Sequence, residues 1–366
     1  MPELNTTLVL ITNAKFWQSG AGFWARTQAT IGYLARHVHL TVIYIDPVTE
    51  TDLIEIRKMA VDCKIIATGS QMNDTYQHKL TRLQETLKKA KTADIYLIDK
   101  TENAYTLDII PSNAIKLLDT HDIVHKRNKS TRSFNAPDGF QLTAQQERDL
   151  FARFDGVMCI QADDYNTVSQ WQGKYKCLLV PHPLSIHPQI PIQPPTRIGI
   201  VASDWHANIH GLAHFIKHIW PKCKTNTVTL NLYGYVANAF KNVTQPNIHL
   251  HGFAQNITDC YKNIDIAINP VLYGAGLKIK TIEAMAHGIP LVTTKEGASG
   301  LLHLKGKAFL MANNDGQFSK YLTQLLNDDN KRKQISEFAL KYVSEQLSEE
   351  QCFSQLLDFI AGNDRL

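Results

Sequence analysis

Long apolar runs are missing from this chain. No stretch approaches the ~20 residues that span a bilayer, which excludes a bundle of membrane-spanning helices. The opening MPELNTTLVLITNAKF lacks a basic segment followed by a long apolar core, so no secretory signal and a cytoplasmic location are expected. Paired cysteine spacing is missing too. Cys63, Cys159, Cys177, Cys223, Cys260 and Cys352 are scattered, several within apolar strand-like runs, and predict buried free thiols in a reducing compartment. No Cys/His cluster has zinc spacing, and no acidic metal cluster is evident. The net charge is only +4, and no basic stripe carries interleaved aromatics, so nucleic acid is not an expected partner.

What is present is a globular composition, 44% hydrophobic and 20% charged. At 366 residues the chain is too long for one ordinary core and suits two domains. Short apolar runs alternate with helix-length segments. In the first half they are 8–13, 40–45, 64–68, 94–99, 114–119, 156–160 and 177–180. In the second half they are 197–203, 228–234, 247–252, 265–270, 290–294 and 308–313. Continuous rather than alternating apolarity is what a parallel sheet covered on both faces requires. Between the halves, PHPLSIHPQIPIQPP places six prolines in fifteen residues, a composition that blocks helix and ladder pairing. The predicted organisation is an N-terminal domain 1–183, a linker 184–196, a second domain 197–345 and a C-terminal helix 346–366 placed to pack back on the first domain. Parallel α/β sheets bind ligands beyond the carboxyl ends of their strands, so the expected fold is α/β with two Rossmann-like sheets facing a cleft.

The densest signal is IDIAINPVLYGAGLKIKTIEAMAHGIPLVTT, from Ile264 to Thr294. It reads as strand, glycine loop, helix, turn and strand. Gly274 and Gly276 let the backbone bend and approach a ligand. The helix begins near Lys278, Gly288 ends it, and Pro290 blocks its continuation. Free amides and the helix dipole favour an anion at that start. Lys278 and Lys280 stand at the end where the dipole alone would not put lysines, and a bound diphosphate supplies the reason. Glu283 is spaced to accept hydrogen bonds from a ribose diol.

The order Gly-x-Gly-Leu-Lys-x-Lys-x-x-Glu-Ala-Met-Ala-x-Gly-x-Pro-Leu-Val resembles the donor-site segment of bacterial family 4-like (group 1) retaining glycosyltransferases of the GT-B fold. That resemblance implies a nucleotide-diphosphate sugar as co-substrate, no other cofactor and no metal. It also implies a glycan or lipid-linked acceptor, and assembly of a bacterial surface glycan at the cytosolic face of the inner membrane. Gly20 and Gly22 resemble the family's N-terminal glycine loop, at the donor's diphosphate or sugar. Asp119-Thr120-His121-Asp122 resembles its Asp-x-His-Asp turn. By likeness His121 faces the donor sugar or acceptor hydroxyl, with Asp122 beside it as a second catalytic candidate and Arg127 touching a charged acceptor. The basic group Lys126, Arg127, Lys129 and Arg132 could face anionic lipid, hence peripheral membrane contact.

Two departures from the family pattern stand out. Asn208, after Ser203, replaces the usual cations, leaving the phosphates to Lys278, Ser203 and backbone amides. Ala275 replaces the first acid of the usual Glu-x7-Glu pair. Phe253 and Tyr235, at turns beyond two strands, are candidates to border the base, and His182 is a candidate at the cleft. The reading is thus a glycosyltransferase in which Lys278 stabilises the leaving diphosphate. Two alternatives remain open: a nucleotide-sugar epimerase of the same architecture, and a nucleotide-sugar-binding homologue without catalysis.

Overall fold

The computed structural model describes residues 4–362 except 60, 91, 138, 172, 190–193, 224 and 254–255. Every apolar run named above is centred on a strand. The first set is β1 Thr7–Thr12, β2 His39–Tyr44, β3 Lys64–Ala67, β4 Ile95–Asp99, β5 Ile115–Asp119, β6 Gly156–Cys159 and β7 Lys176–Leu179. The second is β8 Arg197–Val201, β9 Thr229–Tyr233, β10 Ile248–Gly252, β11 Ile266–Asn269, β12 Leu291–Thr294 and β13 Leu310–Ala312. They form two wholly parallel sheets, ordered β3-β2-β1-β4-β5-β6-β7 and β10-β9-β8-β11-β12-β13. β4, β6 and β11 are buried at every residue because helices cover both faces of each sheet, which is why they lack alternation.

Sequence order reverses between β1 and β4 in one sheet and between β8 and β11 in the other. At such a point neighbouring connections leave in opposite directions and open a crevice beyond the strand ends. The loop after β1 holds Gly20 and Gly22, and the loop after β11 holds Gly274 and Gly276. Topology alone thus brings both glycine loops to crevices.

The lobes touch through these loops. A Cβ built on Gly22 would lie 2.9 Å from Ile279 Cγ1, and one on Gly276 would lie 2.8 Å from the His121 carbonyl oxygen. The Gly274 amide donates to Ser130 Oγ at 2.9 Å. The linker runs along the second lobe, with Leu184 N donating to Leu347 O and His187 N to Ala286 O, each at 2.8 Å. Part of it, 190–193, lies outside the described residues.

The helix Asp329–Gln346 packs in the second lobe through Ile335, Ala339 and Val343. The chain then crosses over. Phe353, Leu356, Leu357, Phe359 and Ile360 of the helix Glu349–Ile360 join the core of the first lobe, with Phe353 stacked on Tyr33 at 4.4 Å. All six cysteines are free; Cys63 and Cys177 are only half-buried. Cys159 and Cys177, far apart in sequence, approach to 3.9 Å between sulfurs because β6 and β7 pair in parallel.

Candidate functional site

On the second lobe the site begins with the helix Ile279–Ala286. No side chain caps its start, and no acid stands in its first turn. The N-cap residue, Lys278, thus offers no capping side chain to the first amides, and this end of the helix dipole is not offset by a first-turn carboxylate. Gly274 and Gly276 take φ of 143° and 69°, a region that side-chain-bearing residues rarely enter. Those torsions fold the loop over Lys278, which is 5% exposed. The Lys278 ammonium donates to the carbonyls of Ala275 at 2.9 Å and Gly276 at 3.0 Å, and pairs with Glu296 at 2.7 Å. Glu296 lies just past β12 and was not singled out in the sequence. No spacing rule links it to Lys278; only the pairing of β11 with β12 does. Glu296 also lines a cavity of about 250 Å3 with Pro270, Thr294, Asn313 and Asp315.

Glu283 lies on the same helix and accepts from the Tyr261 hydroxyl at 3.2 Å. Burial pushes its carboxyl up to about 7, against the opposing pull of the Tyr261 hydroxyl and Lys280. Lys280 is pushed down to about 8 by burial and by Lys278. Asn208 is buried, and its amide donates to Ser203 O at 3.0 Å and Ser203 Oγ at 3.2 Å. Asn208 therefore shapes the loop after β8, while its Oδ1 has no partner among the described residues. Phe253 is 43% exposed and stacks on Tyr235 at 5.0 Å, and both rings face Gly20.

On the first lobe, His121 ends the turn after β5 with φ of 58°, and Lys100 after β4 has φ of 74°. Strained backbone at two adjacent strand ends, both facing the cleft, is common at working sites. His121 Nε2 lies 2.6 Å from Asp99 Oδ1, while Asp99 Oδ2 accepts from Thr12 at 2.5 Å and Thr27 at 3.0 Å. Arg26 donates to Asp119 at 3.0 Å and to Pro181 O at 2.6 Å. The ligand-type atoms of Asp99, Asp119 and His121 lie within 4.8 Å of one another. The Asp119-Thr120-His121 turn thus joins Asp99 and Arg26, which no sequence spacing connects to it, in one charge cluster, with Arg26 and the hydrogen bonds answering its carboxylates. His182 sits beside it; burial, then Arg26 and His121, push its imidazole down to about 3.

Asp122 and Arg127 are placed differently from the expectation. Arg127 forks onto both Asp122 oxygens at 3.0 Å and reaches Glu102 at 3.0 Å. Arg127 is therefore paired within its own lobe rather than offered to an acceptor, and the Asp122 carboxylate is engaged rather than open for proton transfer. Lys126 likewise bonds Asp164 and Thr167, and Arg132 bonds Gln141. Among these four bases, three are thereby tied to neighbours. Glu147 accepts the amides of Val124 and His125 and so caps a helix.

A family model described as group 1 glycosyl transferases matches residues 195–328. Anabaena HepE, solved with UDP and glucose, superposes with a TM-score of 0.71 over 98% of this chain and 100% of that one, at 14% identity. A variant of S. aureus TarM, solved with fondaparinux, alpha-GlcNAc-glycerol and UDP, gives 0.75 over 97% and 99% at 12%. Sucrose-phosphate synthase from Thermosynechococcus elongatus gives 0.74 over 98% and 100% at 12%. A 44.6 kDa protein of the cps region of Klebsiella pneumoniae is 27% identical over 122 residues, or 33% of this chain and 30% of that protein's length. Among the described residues no helix is long and apolar enough to cross a membrane. Residues 195–328 thus match the group 1 glycosyl transferase model, and the chain as a whole has the GT-B fold of these glycosyltransferase structures.

Proposed function

We propose that this protein is a glycosyltransferase that moves a sugar from a nucleotide-diphosphate sugar to a hydroxyl of a glycan or lipid-linked acceptor. The observation that carries this is the buried Lys278 ammonium beneath a positive-φ glycine loop at an uncapped helix start. A leaving nucleoside diphosphate gains negative charge as the glycosidic bond breaks, and stabilisation counts most where that charge develops. Lys278 and the loop amides stand there. Glu283 takes the ribose, Phe253 and Tyr235 border the base, and Ser203, held by Asn208, faces the phosphates. Gly20 and Gly22 allow the first lobe to close on the donor. His121 faces the sugar. Metal-independent catalysis is supported by the way Arg26 and His121 already answer the Asp119 and Asp99 carboxylates.

UDP in the HepE and TarM structures favours a uridine donor, and the cps-region relative favours surface polysaccharide assembly. Retention of configuration, a cytoplasmic location and peripheral contact with the inner membrane belong to the same proposal. The test is thermal-shift screening against UDP, GDP, CDP and their sugars. A ligand specific to the folded state raises its melting temperature. A shift with one nucleotide class, followed by nucleoside diphosphate release with acceptor, is expected; no shift with any of them overturns the reading.

A second reading is a binding homologue without turnover. It rests on Ala275 and on an Asn208 amide already bonded to Ser203. Tight nucleotide binding without turnover across donors and acceptors would favour it.

A further inference from the structure

Asp99 is the side chain in the cleft whose bonds have a direction that the proposed function does not use. It ends β4 at 2% exposure. Thr12 from β1 and Thr27 from the helix Gly22–Leu34 both donate to Oδ2, and Asn103 donates to its backbone carbonyl at 2.7 Å. The two hydroxyls hold the carboxylate from two elements, and Asn103 holds the main chain beneath it. Among the described residues Oδ1 is left for His121 Nε2, at 2.6 Å. An ionised carboxylate only accepts, so Nε2 must carry the hydrogen. The imidazole is then single-ended, because only Nδ1 remains for chemistry. His121 keeps 12% side-chain exposure, and its backbone abuts Gly276 of the diphosphate loop.

We infer that Asp99 is the positioning residue for His121. It fixes the ring with Nε2–H toward β4 and presents Nδ1 to the donor as a hydrogen-bond donor to negative oxygen, rather than as a base for the acceptor. This rests on the glycosyltransferase reading for the identity of the oxygen, but not for the state of the ring. The groups facing the imidazole are Asp99 on β4, Asp119 on β5, Arg26 on the helix Gly22–Leu34, and His182 after β7. Two carboxylates outnumber the one guanidinium, and His182 stays neutral. Burial works against the imidazolium, but Asp99 and Asp119 outweigh it and raise the His121 pKa above 6.5. For a raised histidine the charge is held below the folded pKa and lost as pH rises through it. The donor form therefore belongs to the acidic and neutral side, and activity should fall on the alkaline side.

The test uses the full chain labelled with 15N-histidine. In the wild type, long-range nitrogen–proton spectra should show His121 Nε2 protonated throughout and Nδ1 titrating above the ordinary range. In Asp99→Asn the His121 titration should drop by at least one pH unit. UDP affinity should stay within twofold, while nucleoside diphosphate release falls roughly 10²-fold or more and its alkaline limb moves to lower pH. Asp99→Glu should recover part of the loss. If Asp99→Asn fails to fold, Thr27→Val, which removes one support of the carboxylate, should shift the same titration by a smaller amount. A wild-type ring protonated at Nδ1 and bare at Nε2, or an unchanged titration in both Asp99→Asn and Thr27→Val, overturns the inference. A ring that titrates as expected in a protein that binds and turns over no nucleotide sugar overturns the function instead.

Discussion

Lys278 is an ammonium with three nearby acceptors and almost no contact with water. A buried cation is held by such partners, because desolvation would otherwise drive it neutral. A diphosphate in the cleft offers stronger acceptors than the two loop carbonyls, so the same side chain can turn to it without leaving the pocket. Lys278→Ala should lower nucleoside diphosphate release by ~10²–10³-fold, the range for a lost charge partner in the transition state. Near-normal turnover would remove Lys278 from the mechanism. Glu283 gives a pH signature. With its carboxyl at about 7 in the free protein, it is ionised above that pH and protonated below. Hydrogen bonds to a carboxylate are roughly twice as strong as those to a neutral acceptor. Calorimetry should show nucleotide affinity weakening severalfold from pH 8 to pH 6, and Glu283→Gln should flatten that dependence.

At the scale of elements, the loop 274–278 and the helix after it act as one unit. Gly276 has φ of 69°, where a side chain costs ~1–2 kcal/mol. A Cβ there would also stand 2.9 Å from Asp122 Cβ. Gly276→Ala should therefore lower the melting temperature through both torsion and clash, and weaken nucleotide binding through the lobe contact. Gly306→Ala is the control. It has similar torsions, with φ of 78°, and nothing within 4 Å of its Cβ, so it should lower only the melting temperature. Equal effects of the two changes on nucleotide affinity would show that the lobe contact has no part in binding.

At the scale of the molecule, the chain passes from one lobe to the other twice, once through the proline-rich linker and once after Gln346. The second crossing delivers Phe353 into the first lobe at 0% exposure. Phe353→Ala should cost ~3–5 kcal/mol, as for other buried aromatic truncations, and urea melts should assign the loss to the first lobe. A variant with unchanged melting would show that the terminal helix is not part of that core. Because the chain crosses twice, the hinge between the lobes is a double strand of chain. Closure should be a rotation about that pair rather than a free swing.

The sequence by itself determined the elements and their kind. Each apolar run lay on a strand, and Gly288 stopped its helix with φ of 67° and Pro290 behind it, because torsion limits and burial on two faces act within a few residues. The loop 274–278 and Glu283 were legible for the same reason, their chemistry lying within one supersecondary unit. Tertiary structure alone decided what lies across strands. Glu296 beside Lys278 and Asp99 beside His121 are joined by parallel pairing, and Arg26 meets Asp119 because its helix packs on that sheet, so residues far apart in sequence share one sheet end. It also decided which charges were already paired, as Arg127 shows. Pairing of side chains depends on distances that only the closed chain sets.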